Sequence, residues 1–401
     1  MKRFTRFMFV AVFLVCMSAC AFAAKQADLD PEDFAIMPWG GSPGDAKTLR
    51  DIKDCGFNLA GFLVPNDVKV AKKVGLKCLV IDQATLDVNQ PNLSDAEVIA
   101  RVKKLTSQFR SDPTVFGYYV KDEPGMGEYA NLARWNNAIL KEDPKAFVYI
   151  NLLPQFTWGN YDEYVGKFIS TVKPTYLSYD LYALYDDGSV KPTLYTNLEI
   201  MRKKSLEHNI PFMNIVLGNC HFHYAKPSVE GLSLQVYATL AYGGRGISYF
   251  TYFCPPAGNY RMAAIDQFGH KTPTWDMIRF VNLQIHKLAP TYTKLKSVNV
   301  FHYPNVPDSC KGIDTSKYVK EVKGGDFLVG EFESPDGRPY VMLVNKDINK
   351  SANFSIIFKW PGKVMMVNQY TGTEYPAGGE HDWLAPGQGV LLSLIKDTDQ
   401  K

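Results

Sequence analysis

Past its first residues the chain has no apolar run long enough to cross a bilayer. It also lacks a charge excess: 44 Lys and Arg stand against 41 Asp and Glu, a formal charge of +3. Lys2, Arg3 and Arg6 supply three of those positive charges and precede a short apolar run, residues 7–16. Ala21-Phe22-Ala23 then offers an A-x-A cleavage site, so residues 1–23 read as a signal peptide. Its removal takes three positive charges and no acid, and the formal +3 falls to zero. Such a balance excludes charge-driven binding of nucleic acid. A second ending, Met17-Ser18-Ala19-Cys20, resembles a lipobox and would leave Cys20 lipidated and membrane-anchored. Either ending predicts export, to the periplasm or the cell surface of a bacterium.

Cysteine is scarce. Two of the seven fall in the signal. The remaining five, Cys55, Cys78, Cys220, Cys254 and Cys310, are odd in number and widely spaced. That excludes a disulfide framework and suits small buried apolar residues. No pair has zinc-ligand spacing. Cys220-His221-Phe222-His223 is a local cluster without the second Cys or His pair that a metal site needs. Neither a metal nor an organic cofactor is expected. A phosphate-binding glycine turn is missing too: Gly40-Gly41-Ser42-Pro43-Gly44 does not fit G-x-G-x-x-G, which disfavours a doubly wound dinucleotide-binding sheet.

What is present is alternation. Apolar runs that read as strands occur at residues 34–39, 57–64, 77–82, 115–120, 147–153, 176–181, 212–217 and 247–253. Amphipathic segments between them, at 45–55, 67–74, 94–109, 126–141, 162–170, 196–207, 231–241 and 274–288, read as helices. Ser94 with Glu97 fits a capping box, and Gly56 and Gly75 sit where helices should stop. Eight such units predict a (β/α)₈ TIM barrel over residues 24–292. After Pro290 the helical period is lost. Short alternating runs at 327–332, 340–345, 354–358, 363–368 and 389–394 are divided by Pro335-Asp336-Gly337, Pro361-Gly362 and Pro386-Gly387. They predict a small C-terminal antiparallel β-sandwich over residues 293–401.

The fourth strand carries the chemistry. Gly117 to Pro124 reads GYYVKDEP, a β-rich run that stops at two adjacent acids, because Pro124 cannot continue a ladder. In a barrel the C-terminal strand tips converge on one mouth. Asp122 and Glu123 would lie there, and a carboxyl group at such a tip can protonate a leaving oxygen. The other tips supply Trp39, Asp82, Asn151, Gln155, Trp158, Tyr179, Asp180, Tyr182, Asn219, His221, His223 and Tyr252. Acids and amides bind hydroxyls and rings stack on sugar faces, so a carbohydrate partner is expected. The competing reading makes Asp82 and Asp180 helix caps and packs Trp39 and Tyr252 beneath loops.

GYYVKDEP on a fourth strand with a trailing β-domain resembles the clan of retaining glycoside hydrolases that includes β-galactosidases and many endoglycanases. The organisation also looks like exported Bacteroidetes carbohydrate-active enzymes. The resemblance implies a hydrolase of O-glycosidic bonds with Glu123 as general acid/base. The clan has Asn where this chain has Asp122, and a nucleophilic Glu at the tip of strand 7. Residues 212–224 contain no acid. Asp180, or Glu230 folded back into the mouth, would then be the second carboxylate. Alternatively, Asp122-Glu123 is similar to the pair of substrate-assisted β-N-acetylhexosaminidases, in which the Asp orients the attacking 2-acetamido group. Asp122 and Glu123 can share a site only if the backbone turns at the strand tip. A non-catalytic glycan-binding barrel is the other alternative, and a lyase or isomerase is a third.

Overall fold

The computed structural model describes residues 34–155 and 159–397. The expected signal, Cys20 and Trp158 fall outside the described residues. Eight strands, β1 (Ala35–Pro38), β2 (Leu59–Leu63), β3 (Lys77–Val80), β4 (Val115–Asp122), β5 (Phe147–Leu152), β6 (Leu177–Asp180), β7 (Phe212–Leu217) and β8 (Gly246–Phe250), form one sheet. Helices α1 (Ala46–Asp54), α2 (Val68–Val74), α3 (Asp95–Thr106), α4 (Tyr129–Glu142), α5 (Tyr161–Val172), α6 (Thr193–His208), α7 (Val229–Ala241) and α8 (Pro273–Tyr292) alternate with them. All strand pairs in this sheet are parallel, in the order β1-β8-β7-β6-β5-β4-β3-β2, as a (β/α)₈ barrel requires.

Local chemistry sets the ends. Asp45 accepts from the N–H groups of Lys47 and Thr48 and starts α1. Ser94 and Glu97 form the reciprocal capping box of α3, and Gly75 ends α2 in the left-handed conformation, φ 77°.

The ring closes between β1 and β2 with few bonds. Backbone N–H groups of Asn58, Phe62 and Ser42 donate to Ile36, Gly40 and Phe62 carbonyls at 3.1, 3.0 and 3.1 Å. The Asn58 side chain completes the seam: Oδ1 accepts from Ile36 N–H at 2.8 Å and Nδ2 donates to Phe34 O at 2.7 Å. Gly61 makes this approach possible, because at φ 77° a Cβ there would sit 2.8 Å from Pro38 O.

Side-chain alternation sorts the strands into two layers. Inside the ring, Met37, Phe62, Phe147, Tyr149, Tyr176 and Met213 pack as an aromatic-rich plug. Outward residues such as Val148, Leu177, Tyr179, Val216 and Tyr249 pack into the helix layer.

Ten further strands follow α8: β9 (Lys296–Tyr303), β10 (Val319–Lys323), β11 (Phe327–Glu333), β12 (Pro339–Asn345), β13 (Ala352–Asn353), β14 (Ser355–Phe358), β15 (Gly362–Val367), β16 (Glu374–Pro376), β17 (Trp383–Leu384) and β18 (Gly389–Lys396). Six form an antiparallel sheet ordered β16-β15-β18-β12-β11-β9, while β10 pairs with β14 and β13 with β17. One face of the large sheet, with Val329, Leu343 and Leu392, shares a core with the small sheets. Its other face, with Leu328, Met342 and Leu391, joins the barrel core. Residues Gly231 to Ala241 of α7 are consequently all buried. Gly330 lets β11 reach the end of that helix, since a Cβ would lie 2.1 Å from Ala241 O.

Candidate active site

β4 runs to Asp122, and the next residue leaves the strand. Glu123 takes φ 46°, a left-handed conformation that costs a non-glycine residue about 1–2 kcal/mol. Its N–H donates to Asn151 O at 2.8 Å. The turn needed for neighbouring acids to share one site is therefore present.

Asn151 is the hub. It pairs with Asp122 across β4–β5 and with Ser178 across β5–β6. Its Nδ2 donates to Asp122 Oδ1 at 3.2 Å and Asp180 Oδ1 at 2.9 Å, which uses both amide hydrogens. Its Oδ1 accepts from Ser178 Oγ at 2.9 Å. With 1% of its surface exposed, it holds the two acids at fixed positions.

Asp180 acts on Glu123 as a side-chain hydrogen-bonding neighbour, so the two carboxyl groups lie near one another. Two carboxyl groups can bond directly only when one carries a proton. Burial, then the charge of Glu123, pushes Asp180 well above the usual carboxylate range, which favours its protonated form. Burial also raises Glu123. Burial, then the Glu123 charge, raises Asp122 to about 6. Lys121 turns away, to Glu128 at 2.9 Å and Asn89 Oδ1 at 2.8 Å.

Catalytic carboxyls that flank a sugar stand roughly 5–5.5 Å apart in retaining enzymes and roughly 6.5–9.5 Å in inverting ones. Asp180 adjoins Glu123 in this cluster, and the β7 tip carries no further acid.

The tips of β7 and β8 supply amides and rings. Asn219 Nδ2 donates to Thr251 Oγ1 at 3.1 Å, and its Oδ1 lies 2.7 Å from His221 Nδ1. An amide oxygen only accepts, so His221 Nδ1 carries the hydrogen and Nε2 keeps its lone pair. Burial lowers His221 to about 4, which keeps it neutral. Its ring stacks on Tyr260 at 5.0 Å. Tyr182 stacks on Phe250 at 5.1 Å and Trp39 packs on the same Phe250 at 5.2 Å. Burial, then the charges of Asp180, Glu123 and Asp122, raises the Tyr182 hydroxyl, which puts that ring beside the acids. His223 stacks farther out on Tyr185 at 5.1 Å.

Four expected site residues lie elsewhere. Asp82 caps its own turn, accepting from Thr85 N–H at 3.0 Å. Gln155 turns to α6, where Asn197 Oδ1 takes its N–H at 2.8 Å and Thr196 Oγ1 donates to its Oε1 at 3.1 Å. Tyr179 points outward by strand parity and Tyr252 lies past the end of β8; both are fully buried in the helix layer, Tyr252 accepting from Trp275 Nε1 at 3.0 Å. Glu230 does not fold back either: it belongs to the first turn of α7, with Gly387 against its backbone. The Cys220-His221-Phe222-His223 cluster diverges, Cys220 Sγ donating to Tyr224 O while the two histidines stack on different tyrosines.

Residues not singled out from the sequence complete the mouth. Phe250 was accessible to reasoning, because it shares inward parity with Gly246 and Ser248. Tyr260 and Phe222 were not, since they meet only across loops. Phe222 is 63% exposed at φ 45°, and Asn259 clamps it by accepting its N–H at 2.7 Å and donating to its carbonyl at 3.1 Å. Phe222 thus holds a bulky ring in solvent in a conformation that such residues rarely adopt.

No family model matches the chain, and no curated protein matches it in sequence. Solved structures do match. A β-galactosidase from Bacillus circulans sp. alkalophilus aligns over 90% of this chain and 99% of its own, at 8% identity and a TM-score of 0.61. A family 5 glycoside hydrolase from Bacteroides vulgatus aligns over 92% and 90%, at 12% identity and a TM-score of 0.56. Against β-galactosidases from Marinomonas ef1 and Rahnella sp. R3 the match spans only 60% and 57% of their length. At such identities the likeness is one of fold, and the chain has a barrel similar to those of known glycoside hydrolases.

Proposed function

We propose that the protein is an exported glycoside hydrolase that cleaves O-glycosidic bonds of an oligo- or polysaccharide. The supporting observation is the acid cluster Asp122, Glu123 and Asp180, held by Asn151 at the rim of the barrel and faced by the rings of Trp39, Tyr182, Phe250 and His221. Glu123 delivers the proton to the leaving oxygen. The raised Asp180 beside it favours keeping a proton on the pair, and the Glu123 carboxylate left after that transfer takes a proton back from the attacking water, so the pair ends as it began. The rings bind sugar faces, and Asn219 holds His221 neutral as an acceptor for a hydroxyl.

The absence of an acid at the β7 tip favours a particular version of this chemistry. With Asp180 beside Glu123, Asp122 is the acid left to orient a 2-acetamido group, and the substrate would supply its own nucleophile. Turnover of aryl 2-acetamido glycosides but not of their 2-hydroxyl counterparts, with loss in Asp122→Asn, is the expected result. Equal turnover of both sugars excludes substrate assistance.

Glu123→Gln tests the assignment of the acid. Turnover should fall by roughly 10²–10⁴-fold with the thermal midpoint unchanged. Wild-type turnover in the folded variant removes Glu123 from the mechanism. Glycan binding by the wild type with no turnover of any glycoside would make the barrel a binding protein instead.

A further inference from the structure

A second cluster of rings and free polar groups lies outside the barrel. A groove of about 360 Å³ opens on the C-terminal sheet between β15, the turn after it and the segment around β17. Two large rings flank it in solvent: Trp383 is 57% exposed and Tyr370 59%. Exposed rings this large, grouped on one groove, mark an interaction surface rather than a core. Tyr375 lines the same groove, with His381 against its ring at 5.0 Å.

The polar groups are unspent. Glu380 lines the groove and makes no hydrogen bond or ion pair among the described residues. Gln388 uses Oε1 to accept from Ala385 N–H at 2.7 Å, which leaves its Nε2 donors for a ligand. Asn368 fixes the floor, its Oδ1 accepting from Tyr370 N–H at 2.8 Å and Thr371 N–H at 3.1 Å and so setting the Tyr370 ring in place. Ring faces for C–H surfaces, with an unpaired carboxylate and amide for hydroxyls, suit a pyranose unit. Glu380 is the one acid in the groove and no Lys or Arg lines it, which suits a neutral sugar rather than an anionic one. The Gln388 end lies at the mouth-side start of α7, because the preceding Gly387 packs on Glu230 O.

We infer that this groove is a secondary glycan-binding site for a neutral oligosaccharide, separate from the barrel mouth. Its ligand class rests on the glycan reading of the mouth. A chain held there is kept close to the barrel without being cut there.

The test uses the full chain with Trp383→Ala, Tyr370→Ala and the double variant. Both rings are exposed, so truncation leaves the core intact. Galacto-, manno-, cello- and chito-oligosaccharides are titrated by calorimetry in the Glu123→Gln background. One of these series should bind at two sites, with one site weakened roughly tenfold or more in the double variant. Turnover of a small aryl glycoside by Trp383→Ala should match the wild type. An unchanged binding isotherm in the double variant overturns the inference, as does a dimer that the substitutions dissociate, which would make a second copy the occupant. Failure of the acid assignment shows instead as turnover in Glu123→Gln and leaves the titration readable.

Discussion

Asp180 is a carboxyl group taken almost wholly out of water. Its ionisation should tie stability to pH. A carboxyl group raised in the folded state stabilises the fold fully below its unfolded pKa, and that contribution disappears as pH rises through the folded value. Asp122, raised to about 6, and Asp180, raised further, both act in this direction. The wild-type thermal midpoint should therefore fall as pH rises from about 4 through 6 and beyond. Asp180→Asn keeps the contact with Asn151 and removes one ionisation. It should melt higher than wild type at the alkaline end, with a shallower decline. Parallel melting curves for the two proteins would show that Asp180 does not titrate in this window. Part of the site was legible from residue type and parity alone. Glu123, Asp122 and Asn151 follow from strand tips, whereas the Glu123–Asp180 contact depends on a left-handed turn that no local signal announces. Tyr179 was misplaced because a strand tip was treated as if every residue faced the mouth, and Tyr252 because β8 ends at Phe250, before it.

Among elements, the barrel was legible and the C-terminal region less so. The strands announce themselves as short apolar runs, several of them buried along their whole length, and the helices as the segments between them. β9 stayed hidden because its polar residues are buried and paired: Ser297 accepts from Arg202 Nε at 2.9 Å and Asn299 donates to Glu331 at 3.0 Å. Such pairing across sequence-distant elements erases the alternation by which a strand is recognised. Helix α8 also runs past its expected end to Tyr292, with Pro290 inside its last turn. The joint of β11 on α7 is a close one. Gly330→Val would place atoms against Ala241 O and push β11 off the helix. A loss of ~3 kcal/mol in urea unfolding is expected. An unchanged midpoint would mean that the sheet tolerates a gap there.

At the scale of the molecule, barrel and C-terminal sheet share one core. Helix α7, which would ordinarily show a wet face, contacts β11, β12 and β18. A chain ending at residue 292 should expose that face and aggregate, judged by solubility and size-exclusion chromatography. A soluble, monodisperse barrel from that chain would show that α7 needs no cover. The ring itself is uneven. Seven of its joints are strand ladders, while the eighth, β1 to β2, is pinned by one amide side chain and three backbone bonds. In strand order that joint lies four strands away, in either direction, from the β5–β6 joint where Asn151 meets Asp180. A hoop with one pinned joint changes its bore there first. The aperture beside Trp39 can thus adjust to a guest of different girth, while the acids on the far wall keep their spacing.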